Sequence, residues 1–329
     1  MANKVITKDQ PTQNQVHVDA ILTNLSVAYI QDTDQFIADK VFPQVPVSKQ
    51  SDSYYVYDKQ AWFKDDAQLR PPSTESAGGG YSLSTETYNA LVYAFHKDLD
   101  DRVMANYDNP LQPRRDSAEL VAHKLMLKRE YTFMDKFLKS GVWGTDIDLD
   151  SSADDDQWSD YAESDPITYI TQKRRDIYNE TGFKPNRLLI GGEVWDSLKD
   201  HPEILDRVKY TREAIDINPS LVARAFDLDD IVIAEGLYSN AAEGETDLNL
   251  TPFVDKKALL YYAPRRPSLL TPSAGYIFTW NGYTDNAYAF NTSSFYMESI
   301  KSERIEGEMA YDQKVIGKDL GLFMENVVE

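Results

Sequence analysis

This chain has no cysteine among its 329 residues. Disulfides, zinc–thiolate sites, iron–sulfur clusters and thiol catalysis are therefore excluded. Histidine is nearly as scarce. The four histidines, His17, His96, His123 and His201, stand in no metal-ligand spacing such as H-E-x-x-H. There is no G-x-S-x-G elbow, no Walker A loop and no G-x-G-x-x-G turn. No run approaches the ~20 apolar residues that cross a bilayer. The opening residues, Met1 to Lys8, lack the apolar core of a signal peptide, so a chain made in a cytoplasm is expected. Positive charge is also short: 34 Lys and Arg face 54 Asp and Glu, for a net charge of −20. Nucleic-acid affinity comes largely from Lys and Arg displacing counterions from phosphates. A general nucleic-acid binder is disfavoured, whereas a container whose acidic wall keeps DNA from sticking is not.

What the chain has instead is aromatic side chains, 12% of its residues, and many of them sit in one stretch. Residues 53–97 read as an extended hairpin. The first limb is Ser53 to Tyr57. The second runs from Tyr81 to Thr87 and on through Leu91, Tyr93 and Phe95. Trp62, Phe63, Arg70, two prolines and Gly78 to Gly80 lie between them. A two-stranded arm is marginal alone in water, with no second layer to cover its apolar side chains. Tyr54, Tyr55, Tyr57, Trp62, Phe63, Arg70 and Tyr81 are therefore the candidate contact residues, because Tyr, Trp and Arg anchor buried interface patches.

Before the hairpin, residues 1–18 read as a polar extended arm and 19–30 as a short helix. Val41 to Val47, with Pro43 and Pro46, reads as an extended edge segment. After it, 116–139 is a long helix. Asp116 and Glu119 form a capping box, Gly141 is a stop, and apolar positions on more than one face predict a sandwiched helix. Residues 145–165, rich in Asp and free of Lys and Arg, read as a solvated loop. Asp165-Pro166 opens a second helix that Gly182 ends. Strands follow at 187–190, 230–234, 258–262 and 275–280, with short helices after Gly191-Gly192, His201-Pro202 and Asn218-Pro219. Residues 288–324 read as long strands.

No constellation for catalysis emerges, and no cofactor is expected. Asp146, Asp148 and Asp150 resemble the first half of a calcium loop. Ser151 then replaces the required Gly, and Gln157 the bidentate Glu, so these three are a weak metal candidate only. Glycoside hydrolysis needs just two suitably spaced acids. A soluble carboxylate-dependent hydrolase such as a glycosidase therefore remains the alternative from a different class.

Several segments together carry a resemblance to a known family. Val18 to Asn24 and Ala38 to Pro43 are similar to an N-terminal arm, residues 53–97 to an extended loop, and 116–139 to a spine helix. Phe183 to Trp195, His201 to Leu205 and Asp229 to Gly236 are similar to the strands and helices opening an axial domain. In this order they resemble a major capsid protein of a tailed bacteriophage with the Hong-Kong-97-type shell fold, an α+β fold.

The resemblance implies an N-terminal arm (1–52), an extended loop (53–97), a peripheral domain (98–165 with 282–329) and an axial domain (166–281). It implies hexamers and pentamers closing into an icosahedral shell around double-stranded DNA, located in the virion, with no catalysis. Its implied partners are copies of itself, a separate scaffolding protein, a portal protein and a decoration protein. No membrane and no sequence-specific DNA contact are implied. A separate scaffold is expected because no long helical leader precedes the arm. Some relatives join a loop Lys to an Asn, and Lys49, Lys59 and Lys64 lie in or near this loop. A host encapsulin-like nanocompartment shell is the nearer alternative.

Overall fold

The computed structural model describes residues 35–57, 59–107, 112–151, 156–208, 217–241, 249–266, 271–282 and 290–329. The side chains of residues 57, 60 and 61 fall outside that description, as do the expected polar arm and the helix at 19–30.

The longest element is the helix Pro113–Phe137 (α4), which follows three short helices: α1 (Ala38–Val41), α2 (Lys59–Phe63) and α3 (Asp101–Ala105). At 1.5 Å per residue its 25 residues span roughly 37 Å. It starts three residues before the expected Asp116, because Pro113 takes the first helical position, where its missing N–H costs nothing. Gln112 is the cap, and Arg115 pairs with Glu119 one turn on, at 2.9 Å. The expected Asp116–Glu119 capping box is therefore not formed. The helix ends before Gly141, at Leu138. There the indole of Trp143 donates to the Phe137 carbonyl (2.8 Å) and Lys257 to that of Leu138 (3.1 Å). These donors satisfy carbonyls that the helix end leaves open. Val121, Leu125, Phe133 and Phe137 form one buried stripe at four-residue spacing. Arg129, Glu130 and Thr132 are buried beside that stripe and Tyr131 packs on Tyr238, while Leu120 stays partly exposed among the described residues.

That stripe lies on a five-stranded sheet. Its strands are β1 (Gln44–Val47), β11 (Gly275–Trp280), β13 (Ser302–Val315) and β12 (Phe290–Met297), in that order, with β4 (Leu91–Asp100) also pairing β13. β1 is an edge strand, where Pro46 within it is tolerated. Close approach of α4 needs Gly307, where an added Cβ would come within 2.5 Å of Val121.

The second limb of the hairpin does not continue through Leu91, Tyr93 and Phe95. The hairpin is β2 (Ser51–Tyr57) paired with β3 (Leu83–Asn89), and it stops there. After buried Ala90 the chain enters the five-stranded sheet, where residues 91–100 pair antiparallel with 302–311. Tyr93 stacks on Tyr311 at 4.9 Å, a cross-strand partner that the first limb cannot offer.

The second sheet runs β5 (Thr145–Asp148), β14 (Gly321–Glu325), β10 (Ala258–Tyr261), β6 (Arg187–Gly191), β7 (Asp230–Ala234). Its inner strands are buried on both faces, which explains their unbroken apolar runs. Leu189, Leu259 and Phe323 face the core shared with α4. Leu188, Leu260 and Met324 face the helices α5 (Pro166–Thr181), α6 (Gly192–Lys199), α7 (Pro202–Val208) and α8 (Pro219–Ala225). The Asp165 carboxylate caps α5 by accepting from the Thr168 N–H, and Gly182 ends it at φ 79°.

β11, within the range 166–281, belongs to the first sheet, whereas β5 and β14, within 98–165 and 282–329, belong to the second. Within the expected loop 145–165, β5 is a strand and Trp158 is fully buried.

At the β6–α6 turn a Cβ on Gly191 would sit 1.8 Å from the Asp255 carbonyl oxygen. Gly191→Ala is therefore expected to cost roughly 3 kcal/mol or more, the upper range for forced overpacking. Urea unfolding at equilibrium measures it.

Candidate assembly interface

The hairpin is fixed at its root. Tyr88 stacks on Phe278 of the first sheet at 4.7 Å, and Tyr54 lies against the same ring at 5.7 Å. The Tyr54 hydroxyl donates to Glu86, its partner directly across the ladder, at 2.6 Å. Burial first, and then the Glu86 carboxylate, push that hydroxyl's pKa up. The Asp312 carboxylate accepts from the Asn89 N–H at 3.0 Å.

Beyond the root the aromatic residues lose their cover. Tyr55 is 67% exposed, Trp62 67%, Phe63 66% and Tyr81 59%. Leu69 is almost fully exposed. Trp62 and Tyr81 face each other with centroids 6.1 Å apart. The tip is shaped by its own backbone: Arg70 Nε donates to the Thr74 carbonyl at 2.6 Å, and Thr74 Oγ1 to that of Pro71 at 2.8 Å. Of the seven expected contact residues, the structure therefore groups Tyr55, Trp62, Phe63 and Tyr81 as exposed rings, with Arg70 holding the tip turn. Tyr54 instead packs at the root. Tyr57 lies opposite Leu83 in the ladder, and its side chain is outside the described residues.

The lysines near the loop all hold carboxylates: Lys49 with Asp52 (3.0 Å), Lys59 with Asp319 (2.8 Å) and Lys64 with Asp66 (3.0 Å). Asp146 accepts from the Gly141 N–H, and Asp148 from the Asn326 amide and the Ser151 hydroxyl. Among the described residues no group of three or more His, Asp or Glu is arranged to hold a metal ion. Among them no helix is long and apolar enough to cross a membrane.

Two titratable groups escaped the sequence reading. Glu130, on α4, is 2% exposed, and its carboxylate accepts from the N–H groups of Ile37 (3.1 Å) and Ala38 (2.9 Å). Beside it Arg129 pairs with Asp39. Burial, only partly offset by those N–H donors and Arg129, pushes Glu130 up to about 7. The other is Glu203, pushed up to about 7 by burial and by a carboxyl–carboxyl hydrogen bond with Asp165. Burial would raise Asp165 too, but the hydrogen bonds from Glu203 and Thr168 outweigh it and hold this cap residue low. Next to the pair, His201 Nδ1 accepts from the Glu203 N–H (3.2 Å), and its Nε2 meets Ser164 Oγ at 3.1 Å. These groups join the N-termini of α5 and α7, where negative charge and acceptors are favoured. The sequence around Glu130, Glu203 and His201 gives no local signal of such partners.

Residues 142–273 match the family model of phage major capsid protein E. The chain is 23% identical over 238 residues to the major capsid protein of Burkholderia phage BcepMu, covering 70% of this chain and 73% of that one. It is 24% identical over 317 residues to the major capsid protein of Pseudomonas phage JBD67, covering 94% and 97%. Its fold is similar to a phage-related protein of Bordetella bronchiseptica RB50, with a TM-score of 0.68 and 19% identity over 90% and 94% of the chains. It is also similar to the capsid of Cyanophage P-SCSP1u, with a TM-score of 0.56 and 10% identity over 97% and 99%. The SrpI encapsulin of Synechococcus elongatus PCC 7942 gives a TM-score of 0.57 and 12% identity over 94% and 95%.

Proposed function

From its place among the major capsid proteins of tailed phages, we infer that this chain is a shell subunit that assembles as hexamers and pentamers into an icosahedral particle around double-stranded DNA. The observation that carries the assembly step is the hairpin: rooted by Tyr88, it presents Tyr55, Trp62, Phe63 and Tyr81 to solvent. Exposed rings in one projection mark an interaction surface, and a second copy of the chain is the partner. Many such contacts add through multivalency, and symmetric closure limits growth to a finite shell. The division into arm, loop, peripheral and axial regions belongs to this reading, as do scaffolding, portal and decoration proteins. The net charge of −20 suits a wall that does not hold DNA by its phosphates.

The encapsulin alternative shares the fold, so the fold does not separate the two. The sequence relatives do, since both are phage capsid proteins. The hydrolase alternative finds no support in Asp165 and Glu203, which tie helix ends together. Electron microscopy of the purified chain tests the proposal. Rings, sheets or closed shells are expected, and a stable monomer at every concentration would overturn it.

A further inference from the structure

We propose that helix α2 is a latch: it holds the hairpin against its own subunit and must let go before the hairpin can reach a neighbour. The proposal rests on the assembly reading above. Two contacts make the latch. Lys59 Nζ donates to Asp319 Oδ2 at 2.8 Å, across 260 residues of sequence. Four residues on, the Phe63 ring lies over Gly182, so close that an added Cβ there would come within 2.5 Å of the ring's Cζ. Gly182 is the left-handed residue closing α5, and Asp319 lies in the short 3-10 turn Lys318–Leu320, which packs against α5. The seat thus combines a bare backbone position for a ring with a carboxylate for an ammonium group.

Both contacts are of a kind that opens easily. Each member of the ion pair is 48% exposed. Such pairs contribute little in water and are screened by salt. Phe63 touches the seat and still leaves most of its ring open. The hairpin is therefore fastened firmly at Tyr88 and lightly at α2. A swing about the root must break the Lys59–Asp319 ion pair and the Phe63 contact with Gly182. In the latched position the Phe63 ring and the Lys59 ammonium group are engaged with their own subunit's Gly182 and Asp319.

The test uses the absence of cysteine, which makes two engineered thiols the only ones in the chain. In Lys59→Cys with Asp319→Cys, a short bis-maleimide should bridge the thiols within single free subunits. The bridged subunits should lose assembly, followed by light scattering and electron microscopy, while the unbridged protein assembles. As a second variant, Lys59→Glu should speed assembly roughly two- to fivefold, the range of a weak exposed pair. Adding Asp319→Lys to it should restore the original rate. The latch is overturned if the bridge forms only between chains, if bridged subunits assemble as fast as unbridged ones, or if the double charge reversal does not restore the rate. Bridging yield in the free subunit judges the latch, whereas particles from the unmodified chain judge the assembly reading, so the two fail separately.

Discussion

Glu130→Ala should cost the subunit roughly 2–5 kcal/mol, because it leaves two buried N–H groups, those of Ile37 and Ala38, without an acceptor. The loss should be local first. Residues 35–42 are held to α4 by Glu130, by the Arg129–Asp39 pair and by the packing of Phe42 on Phe133 and Phe137, both at 5.1 Å. Hydrogen exchange should show the Ile37 and Ala38 amides losing protection ahead of the sheets, and unchanged protection there would refute the role. Glu130→Gln separates charge from hydrogen bonding, since it keeps a carbonyl oxygen for both donors. The carboxyl sits at about 7 in the fold against an ordinary 4.5, so the folded chain holds this proton more tightly than the unfolded chain does. The resulting stability is complete below about pH 4.5 and is lost as pH rises through 7. The gap corresponds to on the order of 3 kcal/mol. Glu203 acts in the same direction, with solvent reducing its share. The melting temperature should therefore fall between pH 5 and pH 8. Glu130→Gln should flatten that slope and be more stable than the parent at pH 8. An unchanged slope would show that Glu130 does not carry it.

Tyr55→Ala with Trp62→Ala should abolish shells while leaving the subunit folded. Each ring is two-thirds exposed, so its removal takes little packing from the monomer. At an interface, an aromatic anchor is worth about 2 kcal/mol or more, and the loss repeats at every copy of the contact. The expected result is an unchanged circular dichroism spectrum and melting curve, with no particles by electron microscopy. Tyr88→Ala is the contrast. Its ring is buried and stacked on Phe278, so it should lower subunit stability by roughly 3 kcal/mol, as for other buried aromatic truncations. If the double variant unfolds, or assembles normally, the hairpin rings are not the assembly contact.

Much of the element order was legible in the sequence because its signals are local. Asp165, Pro166 and Gly182 delimit α5 through a cap, a preset φ and a left-handed stop. The apolar runs at 187–190, 230–234 and 258–261 announce strands buried on both faces. Gly191-Gly192 marks a tight turn, and the structure supplies the reason in the Asp255 carbonyl against Gly191. Pairing partners were not legible, since alternation shows that a segment is a strand but not which strand it joins. Residues 91–100 continue the hairpin's pattern without a break and still leave it for β13. The sheets that β11 and β14 join are set by strands likewise distant in sequence. The exposed rings of the hairpin were foreseen from the thinness of the arm. Tyr54 was not separated from Tyr55, because what divides them is Phe278, more than two hundred residues away. Glu130 was invisible because its donors lie more than ninety residues upstream.

The placement of β14 has a consequence for synthesis. It lies between β5 and β10 in its sheet, yet it is the last of the five strands to be translated. Until residues 321–325 emerge from the ribosome, β5 has no neighbour and β10 lacks one of its two. At about 5–20 residues per second, the 59 residues between β10 and β14 leave that gap open for seconds. The edge of β10 therefore stays without its β14 partner for that interval, and the second sheet closes only when it is filled.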